Sequence, residues 1–203
     1  EMRGEGLVEI SNPSQAFLAE RVEGASGSAV AVTLEGTRPM LLEVQALVSR
    51  SALAVPRRTS NGIDANRLLL VAAVLAKRLN VALYDQDIYL NVVGGLRVEE
   101  PAADLATALA ILSSYQDVPL DPQLVAIGEV GLSGEIRGVA QLERRLREAA
   151  QLGFTRALVP RTAGSAPPHD LGIEVLTART LQEAALVLGA RPDSSARLRA
   201  AHA

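Results

Sequence analysis

A chain of 203 residues, 48% of them hydrophobic, is long enough to bury one substantial core, and it predicts a single domain with a short tail. The lack of cysteine excludes disulfides, thiolate nucleophiles and Cys-based zinc sites, and His169 and His202 are too few and too peripheral for a histidine-built metal centre. A formal charge of -3 excludes a uniformly basic nucleic-acid binder, no apolar run approaches the roughly 18 residues that span a bilayer, and the first residues lack a signal-peptide plan, so a soluble, cytoplasmic protein is expected.

Aromatic residues make up only 2% of the chain and Trp is absent, so the core must be built from Ala, Val and Leu. That composition favours helices packed on a sheet. Asn12-Pro13-Ser14 predicts a capped short helix over Gln15 to Arg21, broken by Gly24 to Gly27. Ser28 to Glu35 and Met40 to Ser49 alternate in part and read as antiparallel strands about a turn at Gly36-Thr37-Arg38-Pro39. Asp64 is placed to cap a helix reaching Leu79, with Leu68, Ala72, Leu75 and Leu79 on one stripe.

A strand from Ile88 to Val93 is followed by Gly94-Gly95 and a helix from Pro101 to Ser114, with Glu99 and Glu100 set for its positive end. Leu124 to Val130 and Gly134 to Ile136 read as strands about Gly131-Leu132-Ser133-Gly134. A helix then runs from Val139 to Leu152 and stops at Gly153. Short buried strands follow at Ala157 to Val159 and Ile173 to Leu176, separated by the Pro167-Pro168 loop, before a last helix over Leu181 to Leu188. A domain over 1–190 is expected, and 191–203 should form a disordered tail.

No Gly-x-x-x-x-Gly-Lys-Ser/Thr loop is present, so ATP hydrolysis is not housed in this segment. The Gly131 to Gly134 stretch joins two strands and lacks the spacing of a nucleophile elbow. Arg144, Arg145 and Arg147 lie among Glu143 and Glu148 and read as a solvated helix face. Glu99 and Glu100 read as partners of a helix dipole, not as a catalytic carboxylate pair.

Ile127-Gly128-Glu129-Val130, then Ser133-Gly134-Glu135-Ile136, the helix from Leu142 to Gly153 and Ala157-Leu158-Val159-Pro160 resemble successive motifs of the Lon proteolytic-domain family. Upstream, Glu99-Glu100-Pro101-Ala102-Ala103-Asp104-Leu105-Ala106 stands where that family has D-G-P-S-A-G-I-A. The resemblance implies an α/β fold with a mixed sheet and packed helices, of the ribosomal protein S5 domain 2-like type. It puts Ala102 at the family's serine nucleophile and Glu143 at its lysine base. Alanine has no oxygen with which to attack, and a carboxylate reverses the charge of the amine, so the implied domain is a pseudo-protease.

Pro56-Arg57-Arg58-Thr59, Gly62-Ile63-Asp64, Asn66-Arg67-Leu68 and Leu75-Ala76-Lys77-Arg78, with Val8 to Ser14, are similar to the carboxy-terminal Lon-like domain of the RadA (Sms) family of DNA-repair proteins. That resemblance implies a parent with an amino-terminal zinc finger and a RecA-like ATPase, so zinc and ATP belong to domains outside this segment. It also implies a homo-hexameric ring, branch migration on DNA and a recombinase of the RecA type as partner.

Charge distribution supplies the candidate DNA surface. Between Arg50 and Asn80 the cations Arg50, Arg57, Arg58, Arg67, Lys77 and Arg78 face only Asp64, a balance of +5 that leaves -8 elsewhere. Arg57 and Arg58 read as lying in a loop with Thr59, Ser60 and Asn61, while Arg67 and Arg78, eleven residues apart, share a helix face. The alternatives are a subunit interface without DNA contact and an active peptidase with relocated chemistry.

Overall fold

The computed structural model describes residues 2–3, 6–7, 13–161 and 171–188. Two short strands, β1 (Met2–Arg3) and β2 (Gly6–Leu7), pair with each other, and helix α1 follows at Pro13–Leu18. The expected cap at Asn12, the Pro167-Pro168 loop, both histidines and the 191–203 tail lie outside the described residues.

One seven-stranded sheet organises the rest. Its strands are β3 (Ser28–Glu35), β4 (Arg38–Arg50), β5 (Arg58–Asn61), β6 (Gln86–Val92), β7 (Leu124–Ala126), β10 (Arg156–Pro160) and β11 (Glu174–Ala178), in the order β11-β10-β7-β3-β4-β6-β5. β3, β4 and β6 are antiparallel to their neighbours among themselves, and the outer pairs are parallel, so the sheet is mixed. A separate hairpin joins β8 (Glu129–Val130) to β9 (Ile136–Arg137) through the Gly131 to Gly134 turn.

Helices α2 (Ala65–Leu79), α3 (Asp104–Gln116) and α5 (Leu181–Ala185) cover one face. The Asp64 carboxylate accepts the N–H groups of Asn66 and Arg67, so the cap of α2 forms as its sequence dictates. Leu68, Ala72 and Leu75 are buried and join Val44, Ile88, Leu90 and Leu109 in the larger core. On the opposite face α1 and α4 (Leu142–Gln151) enclose Val30, Val32, Leu41, Val125, Leu146 and Val159. This second layer stops at β4. Beyond Glu43 the strand alternates buried Val44 and Ala46 with exposed Gln45 and Leu47, which marks a sheet covered on one side only.

Three differences from the sequence reading have physical causes. Arg58 to Asn61 is a strand, not a loop, because parallel pairing with β6 supplies a ladder to a polar stretch that has no apolar alternation of its own. Gly134 to Ile136 yields only the two-residue β9, since Gly134 has a φ of 84° inside the turn. α4 starts at Leu142, three residues late, and Gly153 ends it with a φ of 89°. No helix among the described residues is long and apolar enough to cross a membrane.

Candidate functional site

The segment from Glu100 to Asp104 is fixed from both sides. Pro101–Ala103 forms one tight 3-10 turn, and α3 continues from it. Ala102 is fully buried; its carbonyl accepts the Gly128 N–H at 2.9 Å, while the Gly128 carbonyl accepts the Leu105 N–H at 3.1 Å. Gly128 is required by space, because a Cβ there would lie 2.7 Å from Ile136 Cγ2. At the expected nucleophile position there is thus a methyl group packed beneath backbone.

Two residues upstream, Glu100 takes two hydrogen bonds from the Arg145 guanidinium, one of them 2.9 Å from Nη1, and a third from the Leu34 N–H at 2.8 Å. Arg145 is completely buried and also donates to the Val32 carbonyl at 2.7 Å and the Ala140 carbonyl at 2.9 Å. The pair completes the sheet. β3 loses β7 as a neighbour after Ala31, and on that side Arg145 then serves the Val32 carbonyl while Glu100 serves the Leu34 amide.

Two residues downstream, Asp104 is buried and accepts Arg67 Nε at 2.7 Å, Arg67 Nη2 and the Val130 N–H at 3.0 Å. Burial is the largest influence on Asp104 and pushes its carboxyl above the ordinary range, against the pull of Arg67 and Val130. The Arg67 guanidinium moves up as well, chiefly through its bond to Asp104. Burial dominates at the carboxylate, whereas at the less buried guanidinium the bond to Asp104 outweighs it.

These contacts correct two expectations. Glu100 makes no helix-capping bond, and Arg145 is not on a solvated face. A signal for Arg145 was present: with Leu142, Leu146 and Ala149 it falls on the stripe that α4 turns inward. Asp104 was readable too, since α3 is apolar on nearly every side and an acid at its start must find a partner. Glu143, at the expected base position, is exposed and bonds Arg147 one helical turn on, at 2.5 Å.

A cleft of about 860 Å³ opens beside Glu100, between the β3–β4 turn at Thr33 to Gly36 and the segment from Leu96 to Glu99. Glu99 and Arg97 are exposed on its rim. Gly62, at the back of the same region, has a φ of 93°, and a Cβ there would stand 2.6 Å from Val92 Cβ and 2.7 Å from the Leu96 carbonyl.

The six cations expected to bind DNA separate into distinct environments. Arg50 ends β4 opposite Gln86, Arg57 precedes β5, and Lys77 and Arg78 lie in the last turn of α2. Arg58 is tied to the carbonyls of Arg57, Gln86 and Leu83, which binds the start of β5 to the segment entering β6 and so links these groups at one end of the sheet. Asp85 and Asp87 stand among them: Asp85 lies 3.8 Å from Arg50, and Asp87 accepts the Arg57 backbone N–H at 2.6 Å. That bond is the main cause of a lowered Asp87 carboxyl pKa.

Arg67 lies about three turns away, roughly 16 Å along α2 at 1.5 Å per residue. It shares a helix face with Arg78, as expected, but that face meets the β8–β9 hairpin: Arg67 comes within 3.7 Å of Glu129, and Arg78 donates to the Leu132 carbonyl at 3.3 Å. The side chains of Arg50, Arg57, Lys77 and Arg78 are exposed; Arg58 and Arg67 are held by the protein itself.

Residues 67–163 match a family described as subunit ChlI of Mg-chelatase. The protein named DNA repair protein RadA from Streptococcus pyogenes serotype M3 is 51% identical over 181 residues, covering 89% of this chain and 40% of the relative. Its namesake from Synechocystis sp. is 53% identical over 176 residues, 87% of this chain and 34% of the relative. That of Bacillus subtilis is 48% identical over 184 residues, 91% and 40% respectively. The chain therefore spans about two-fifths of the length of the relatives it matches, and over nearly all of its own length it belongs to the RadA family.

Proposed function

We propose that this chain is a non-proteolytic, Lon-like domain of a RadA-type recombination and DNA-repair ATPase, acting as a scaffold for a hexameric ring and as a DNA-binding surface in branch migration. In this reading the fold is of the ribosomal protein S5 domain 2-like type, ATP and zinc are bound by other parts of the parent, and a RecA-type recombinase is its partner. The observation that carries it is the environment of Ala102. The residue is buried under Gly128 and flanked by the Glu100–Arg145 and Asp104–Arg67 pairs, an arrangement suited to rigidity and without a nucleophile. Glu143, exposed and paired with Arg147, gives no basic amine in exchange.

The cations at the α2–β5 end support the DNA role, because four of them are exposed and able to meet phosphates. A second reading, a subunit interface without DNA contact, draws on Asp85 and Asp87, which interrupt the positive field there. Titration of labelled duplex at several salt concentrations separates the two. Replacing Arg57 and Arg78 by Ala should weaken binding for every sequence and lower the slope of log affinity against log salt by about 0.7 to 0.9 for each phosphate no longer neutralised. Unchanged affinity with a reduced oligomeric mass would select the interface. Incubation with labelled casein should yield no cleavage, and Ala102→Ser should yield none either, since a lone hydroxyl without a base does not attack.

A further inference from the structure

The sheet face left bare beyond β4 has a composition of its own. Register places Gln45, Leu47 and Ser49 of β4 opposite Asn91, Tyr89 and Asp87 of β6, and Thr59 and Asn61 of β5 opposite Tyr89 and Asn91. Their neighbours Val44, Ala46, Ile88 and Leu90 are buried on the helix-covered side, so these side chains share the opposite face. Leu47 is 60% exposed there, against a few per cent for the leucines of the core. Asn61 donates to Asn91 at 2.8 Å, and the Asp87 carboxylate is turned to the Arg57 amide. A depression of about 350 Å³ adjoins Tyr89, bounded by Ser26, Gln45, Leu47 and Asn91.

We infer that this face receives unstacked bases of a single-stranded nucleic acid, with Tyr89 as the stacking platform. The inference rests on the DNA-binding reading above and adds strand state to it. Stacking on an aromatic ring is sequence-tolerant, and amides and hydroxyls around the ring can meet base edges in many orientations. The middle of the face is neutral, and at the end where β5 begins Arg57 stands beside Asp87, whose carboxylate takes the Arg57 amide, so that the exposed Arg57 guanidinium can meet a phosphate as bases lie on the ring. A second copy of the chain fits poorly. Three strands about 4.8 Å apart and five residues long at about 3.4 Å each present on the order of 250 Å², against the roughly 800 Å² per partner of a stable protein interface.

The test compares a labelled oligothymidylate with a blunt duplex, both titrated against the 203-residue chain at one fixed salt concentration, with oligomeric mass followed in parallel. Tyr89→Ala and Tyr89→Leu should each bind the oligothymidylate about ten-fold more weakly. Tyr89→Phe should match the parent, and duplex affinity should be unchanged in all three, because paired bases are not free to stack. Circular dichroism checks that the variants are folded; Tyr89→Leu keeps apolar volume and remains informative if Tyr89→Ala unfolds. An unchanged oligothymidylate affinity, or an equal loss for both ligands, overturns the inference while leaving the basic DNA surface standing. A loss of oligomeric mass with no selective loss of single-strand binding assigns the face to self-association and overturns it too. A parent chain that binds neither ligand overturns both readings.

Discussion

Arg145 and Arg57 are arginines of one chain, and the structure uses them in opposite ways. Arg145 is sealed inside α4, spends its guanidinium on Glu100 and two carbonyls, and stands in for a missing strand at the edge of β3. Arg57 engages only its backbone, the amide with Asp87 and the carbonyl with Ile88 and Arg58, and leaves its side chain to solvent. A basic residue is therefore no evidence of a ligand until its hydrogen bonds are counted. Among the six cations expected to meet DNA, Arg58 and Arg67 follow Arg145, while Arg50, Arg57, Lys77 and Arg78 keep exposed side chains, Arg50 near Asp85 and Arg78 with one bond to the Leu132 carbonyl.

The sharpest way to break this contrast is to remove each guanidinium. Arg145→Ala strands Glu100 and the Val32 carbonyl and should cost about 3 to 5 kcal/mol of unfolding free energy in a urea titration. Arg57→Ala should fall within about 0.5 kcal/mol of the parent. If Arg145→Ala proves as mild as Arg57→Ala, the pair at Glu100 is not what holds β3 to α4. Replacing both partners, as Arg145→Met with Glu100→Leu, should recover much of the loss, although the Leu34 amide then remains unserved.

Gly62→Ala should follow in size, at about 1 to 3 kcal/mol, because its left-handed backbone and the 2.6 Å approach to Val92 Cβ both resist a methyl group. The substitution tests whether the wall behind Glu99 and Arg97 is as rigid as the segment around Ala102. A melting temperature equal to the parent's would show that this loop can yield.

What the sequence revealed depended on periodicity. α2 and its Asp64 cap, β3, and the hairpin around Gly131 to Gly134 follow from apolar spacing and turn chemistry, both of which are local. β5 was hidden because Arg58-Thr59-Ser60-Asn61 owes its strand to pairing with β6, a contact set by residues 86–92 and not by its own composition. The ion pairs at Glu100 and Asp104 were hidden for a similar reason: their partners lie 45 and 37 residues away. Charge counted along the chain grouped Arg67 with Arg57. Charge located in space puts Asp85 beside Arg50 and Asp87 beside Arg57, and moves Arg67 to the other end of α2.

Acid should destabilise the fold through the carboxyls that it holds low. The Arg57 N–H holds the Asp87 carboxyl below its ordinary range, and the bonds to backbone and to Arg137 do the same for Glu135. A carboxyl depressed in the folded state contributes stability that is present above its ordinary range and lost as pH falls through the folded value. Stability measured by urea should accordingly decline on acidification below that range, and Asp87→Asn should flatten part of the decline. An Asp87→Asn profile that superimposes on the parent's would remove Asp87 from the account of β5.

The smallest effect separates two glutamates on either side of Arg145. Glu143 sits two residues before it on α4, is more than half exposed and bonds Arg147 across one turn; Glu100 reaches Arg145 from the start of the Ala102 segment and is bound by a buried guanidinium. An exposed pair of this spacing contributes about 0.3 to 0.5 kcal/mol and is weakened further by salt. Glu143→Gln should therefore change the urea midpoint barely beyond error and not at all in high salt, while Glu100→Gln removes a charge on which a buried guanidinium depends and should lower it at any ionic strength. Were Glu143→Gln the more damaging of the two, Glu143 would have a partner in solution beyond Arg147, and the position expected for the lysine base would hold a working side chain after all.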